Sequence, residues 1–68
     1  MPKPGNLVEV TNPFITDDLG NRWLGVVVGE SNVTITVHFA DDNAKHEYRK
    51  ATINNPESNG YIIMDILS

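Results

Sequence analysis

Residues 22–39 read RWLGVVVGESNVTITVHF, two apolar runs separated by Gly-Glu-Ser-Asn. The second run, VTITVHFA at 33–40, alternates: Val33, Ile35, Val37 and Phe39 fall on one side, Thr34, Thr36 and His38 on the other. That period of two is the signature of a strand with one face buried. The first run, Trp23 to Val28, is short, β-branched and bracketed by glycines, and it reads as the hairpin partner across a four-residue turn at 29–32. With Leu24, Val26 and Val28 facing inward, Trp23 lies by parity on the opposite face of its strand.

Working outward, Leu7-Val8-Glu9-Val10-Thr11 alternates in the same way and is closed by Asn12-Pro13. ITDDLGN at 15–21 is a polar loop with Gly20-Asn21 as its turn. Beyond the hairpin, Asp41-Asp42-Asn43 is the next turn. AKHEYRKATI at 44–53 has two readings. Ala44, Tyr48 and Ala51 share a helical face with Asn43 available as cap, but His46 stands where a capping box takes Glu or Gln, and Thr52-Ile53 favours a strand. It is taken as a fourth strand, with a single helical turn as its end. NNPESNG at 54–60 is a loop, and YIIMDIL at 61–67 a final strand. The expected fold class is all-β: a small barrel of five short antiparallel strands, with one short helical turn near 44–52 and closure protecting the edges. Residues 1–6 form a flexible lead-in and residues 7–67 a single domain.

The length of 68 residues allows one domain, which buries only about 60% of its unfolded surface. With no cysteine, disulfides and cysteine-ligated zinc are excluded. MPKPGN is polar and unlike a signal peptide, and the apolar runs Val26 to Val28 and Tyr61 to Met64 are too short to cross a bilayer. A cytoplasmic protein is expected. Five Lys and Arg against nine Asp and Glu give a formal charge of −4, which argues against broad affinity for nucleic acid. One local basic group, Lys45, His46, Arg49 and Lys50, runs against that balance. It reads as a solvated face, or alternatively as a site for phosphate contacts.

GNLVEV, then RWLGVVVGE, then VTITVHFADDN and a polar fourth strand together resemble the SH3-like small barrels. Within them the pattern is most similar to the Tudor and Agenet branch, with the KOW domains a cousin. The resemblance covers roughly residues 5–53 and lies in strand lengths and residue classes. It implies a cage for a cationic side chain, with Phe14, Trp23 and Phe39 near cage positions and Asp41, Asp42 and Asn43 on the neighbouring loop. The sequence carries Asp42 or its neighbours where a second cage aromatic is often found, which leaves the cage short.

Each candidate has a plainer structural role. Trp23 can cover an open end of the barrel, Phe39 shares the face of the core residues, and Phe14 sits in a loop where it caps the core or meets a partner. Tyr48 and Tyr61 suit a rim. His38, His46 and Asp41 are the only grouping that suggests a metal, and their spacing matches no ligand pattern. Nucleophile and phosphate-cradle motifs are missing. No metal, cofactor or catalytic residue is expected. The expected function is a non-enzymatic module that binds another protein, through a basic or cation-bearing segment, at the end formed by Phe14, Trp23, Phe39 and Asp41 to Asn43. The alternatives are a nucleic-acid-associated protein using Lys45, His46, Arg49 and Lys50, and an oligomeric enzyme or scaffold subunit with its aromatics buried between copies.

Overall fold

The computed structural model describes residues 1–14 and 22–68; the polar loop expected at 15–21 lies outside the described residues. Five strands form one antiparallel sheet: β1 (Leu7–Thr11), β2 (Arg22–Glu30), β3 (Thr34–Phe39), β4 (Ala44–Arg49) and β5 (Ile63–Ile66). A single 3₁₀ turn, Lys50–Thr52, follows β4, where the sequence placed a helical turn. No described helix is long and apolar enough to cross a membrane.

The spatial order is β4-β3-β2-β1-β5. β4 and β5 stand at opposite edges with no ladder between them, so the expectation of a closed barrel is corrected: the sheet is open. The reason lies in the chain between them. After the 3₁₀ turn, Ile53 makes an isolated parallel bridge to Ile62, and the Asn54 side chain occupies the outward groups of Met64 on β5. The pairing that would close the sheet is taken by this connection.

The core is one apolar layer: Val8 and Val10 from β1, Val27 from β2, Ile35, Val37 and Phe39 from β3, with Ile53, Ile62 and Met64. Trp23 and Tyr48 pack against it, half-buried. Each fully buried Val, Ile or Phe contributes on the order of 1.5–3 kcal/mol.

The inward row of β2 is the reverse of the expected one. Trp23, Gly25 and Val27 face the core, while Leu24, Val26 and Val28 lie on the exposed face. Cross-strand partners share a face. Val10 pairs with Trp23, Val8 with Gly25, and Val37 with Val27, so the neighbouring strands dictate which row of β2 is buried. Gly25 is what makes this row viable. It lies opposite Phe39, and a Cβ there would fall 2.5 Å from Val37 Cγ1 and 2.9 Å from both the His38 carbonyl and Phe39 Cδ1.

Further along, Val28 and Gly29 together oppose Thr36, a β-bulge that extends β2 to Glu30 beyond the expected end at Val28. The turn therefore falls at Ser31 to Val33, held by Ser31 Oγ accepting from the amides of Val33 and Thr34. Val33 leaves the inward row and stands exposed. Residues 1–6, expected as a flexible lead-in, are docked: the Gly5 amide donates to Val27 O at 2.8 Å, the Val27 amide donates to Asn6 O at 2.9 Å, and Pro2 is buried.

Candidate functional site

One end of the sheet carries a concave site of about 430 Å³. Its deepest part is apolar, formed by Val10, Phe39 and Ile62, all in the core. Its sides are Trp23 from β2 and His46 and Tyr48 from β4. Asn12, Asp41 and Asp42 line it as well.

Local sequence explains each placement. Trp23 lies inward because of the β2 register, and Gly25 beside it leaves room for the Phe39 ring. His46 and Tyr48 alternate with Lys45, Glu47 and Arg49 along β4; they share the inward face because they pair with the buried Val37 and Ile35. The tight β3–β4 turn brings the two carboxylates over this end. Asn43 takes positive φ, 52°, and the Ala44 amide donates to Asp42 Oδ1 at 3.1 Å.

The Phe39 and His46 rings meet edge to face, centroids 5.3 Å apart at 69°. His46 Nε2 lies 3.9 Å from Asp42 Oδ2, a loose contact between exposed groups. Burial pushes the Tyr48 phenol above its ordinary value of 10.0, so it stays a neutral donor and acceptor. Neither Lys nor Arg lines the site among the described residues. The site thus gathers Trp23, Phe39, His46 and Tyr48 with two carboxylates around one hollow.

Of the residues singled out in the sequence, the site gathers Trp23, Phe39, Asp41 and Asp42. Phe14 stands away from it, 69% exposed. Asn43 turns toward the other face of the sheet, where its Oδ1 lies 2.8 Å from His38 Nε2. Tyr48 and His46 line the site too, beyond the aromatic residues expected there. The period-two spacing of Tyr48 from His46 along β4 is the sequence signal that places both on one face.

The basic group is divided. His46 faces the aromatic site; Lys45 and Arg49 lie on the opposite face with Glu47 between them. Lys50 donates to Glu30 Oε2 at 2.8 Å, with Lys3 behind it at 3.5 Å. A shallower hollow beside Asn32, Val33 and Thr34 is lined by Arg49, Lys50 and Ala51. His38 and His46 lie on opposite faces of the sheet, and no metal-ligand cluster occurs among the described residues.

No family model matches this chain, and neither a curated protein nor a solved structure matches it significantly.

Proposed function

We propose that the protein is a small binding module, without enzymatic activity, that takes a cationic side chain of another protein into the aromatic site. The observation that carries this reading is the convergence of Trp23, Phe39 and Tyr48 with Asp41 and Asp42 around one cavity. Aromatic faces attract a cation by their quadrupole, by about 0.5–2 kcal/mol per favourable contact. The carboxylates add long-range attraction for a basic partner, in keeping with the net charge of −4. A volume of about 430 Å³ is of the size that holds a side chain or small ligand.

Five antiparallel strands with β1 paired to both β2 and β5 support reading the chain as an opened relative of the SH3-like barrels. The absence of cysteine supports a cytoplasmic location. Trp23, the only tryptophan, reports on the site directly. Titration of its fluorescence with a lysine-bearing peptide and with the same peptide carrying norleucine tests the reading. A saturable change with lysine alone supports it; equal responses to both, or to neither, reject it.

A further inference from the structure

The two edges of the open sheet are finished differently. On β5 the Met64 amide donates to Asn54 Oδ1 at 3.0 Å, and Asn54 Nδ2 donates to Met64 O at 3.2 Å. One asparagine side chain thus satisfies an outward residue as a neighbouring strand would. The adjoining Ile62 donates its amide to Thr52 O and accepts from the Asn54 amide at 2.7 Å. That edge is covered at Ile62 and Met64, and of its outward residues Ile66 alone has no described backbone partner.

The β4 edge has no such cover among the described residues. The Lys50 amide donates to Val33 O, which fixes the phase of the β3–β4 ladder. By the alternation of antiparallel pairing, Tyr48 and His46 direct their backbone groups at β3, and Lys45, Glu47 and Arg49 direct theirs outward. Only the Arg49 carbonyl finds a described partner, Thr52 Oγ1 at 2.7 Å. The amides and carbonyls of Lys45 and Glu47 are left facing away from the sheet. The charged side chains of Lys45, Glu47 and Arg49 discourage indiscriminate pairing along this edge but leave its backbone groups open to a strand of matched chemistry. The inward side chains of this same strand, His46 and Tyr48, line the aromatic site.

We propose that β4 receives an extended segment of a partner protein as a sixth strand, antiparallel, with the cationic side chain opposite His46 entering the aromatic site. This rests on the reading of that site as a cation pocket. Residues directly opposite in a ladder share a face, so a side chain opposite His46 projects to the side where Trp23, Phe39 and Tyr48 lie. The residues flanking it bond to the Lys45 and Glu47 backbones. Main-chain bonds supply affinity in this mode of recognition and the pocket supplies selectivity. Charge complementarity identifies the occupant: Asp41 and Asp42 stand over the point where a lysine or arginine arrives. The chemistry required is an extended, β-prone stretch with one basic residue, flanked by small polar residues.

The test uses the intact protein and the capped peptide Thr-Val-Thr-Lys-Thr-Val-Thr, read by Trp23 fluorescence. One variant is N-methylated at the two threonines flanking the lysine, whose amides would point at β4. A second is N-methylated at the lysine, whose amide would point away. Butylammonium, a lysine side chain without a backbone, is titrated alongside. The expected result is at least about tenfold weaker binding for the first variant, from the loss of two hydrogen bonds. The second variant should bind within about threefold of the parent, a difference smaller than one typical bond. Equal binding of all three peptides, with butylammonium still bound, overturns strand addition while the pocket reading stands. The reverse order of the two variants also overturns it. No response to butylammonium or to any peptide removes the pocket reading and this proposal together. A dimer in sedimentation with the Lys45 and Glu47 amides protected from exchange would show the edge filled by a second copy, and overturns the assignment to a foreign segment.

Discussion

Phe39 and His46 meet edge to face, ring centroids 5.3 Å apart and inclined at 69°, across the ladder that joins β3 to β4. The contact links the core to the site: Phe39 is buried, whereas the His46 side chain reaches solvent beside Asp42. Aromatic rings that pack the sheet at one end thus also line its cavity, and the core and the cavity share residues.

Substituting Trp23 separates the two roles. Trp23→Leu keeps an apolar side chain against Val10 but removes the aromatic face. Affinity for a lysine-bearing peptide should fall about two- to thirtyfold, the equivalent of about 0.5–2 kcal/mol. With the fluorophore gone, isothermal calorimetry makes the measurement, and the urea midpoint checks that the fold survives.

Asp42→Asn removes charge while keeping the acceptor that holds the Ala44 amide. The turn should survive, and peptide affinity should fall by a few-fold, most at low salt, because exposed charges are screened over about 8–10 Å. Titrations at low and physiological ionic strength should converge for the variant and diverge for the native chain.

Gly25→Ala is expected to destabilise the fold by about 1–3 kcal/mol, since the added methyl meets the His38 carbonyl as well as two side chains. Val26→Thr, one residue away on the exposed face, should change stability by less than about 0.5 kcal/mol. Val27→Ala, in the core, should cost about 2 kcal/mol. Urea denaturation of the three variants tests the assignment of the β2 faces.

That assignment is also where the sequence was least legible. β1 and β3 declare their buried rows, because Val8 and Val10, or Ile35, Val37 and Phe39, alternate with polar residues. β2 carries apolar residues on both faces, and the larger-looking row, Leu24, Val26 and Val28, is the exposed one. Only cross-strand partners decide between the rows, and those are non-local. The bulge at Val28 and Gly29 is hidden for the same reason. The 3₁₀ turn after β4 was foreseeable, since the segment mixed helical and extended signals. The open sheet was not: it depends on Asn54, whose positive φ of 58° and two side-chain bonds to Met64 give no periodic signal. Within the site, the residues beside the β3–β4 turn were legible from strand ends. Phe14 and Asn43 lie outside the lining of the cavity, because position in a loop does not fix side-chain direction.

Asn54→Ala should cost about 1–3 kcal/mol, because it strands the amide and carbonyl of Met64 and places a β-carbon without Asn's tolerance at positive φ. The uncovered β5 edge should also raise the tendency to self-associate, measured by sedimentation over a range of concentrations.

Acid stability should carry the mark of Glu30. The Lys50 ammonium, hydrogen-bonded to it, holds its carboxyl below the ordinary value of 4.5, with Lys3 adding to the effect. Its contribution is therefore fully present above that value and fades as the pH falls through the lowered one. The pair is exposed, so the effect is small and weakens with salt. Urea midpoints from about pH 6 down to about pH 3 should fall less steeply for Lys50→Met than for the native chain.

The central claim is that the site around Trp23 takes a cation, and a single NMR comparison tests it most directly. The labelled protein is titrated with butylammonium and, separately, with butanol, while the Trp23 indole and the ring signals of Phe39, His46 and Tyr48 are followed. The account predicts saturable shifts at these residues and at the Asp41–Asp42 turn with the amine, and little change with the alcohol. Equal shifts with both, or shifts confined to Lys45 and Arg49 on the other face, would contradict it.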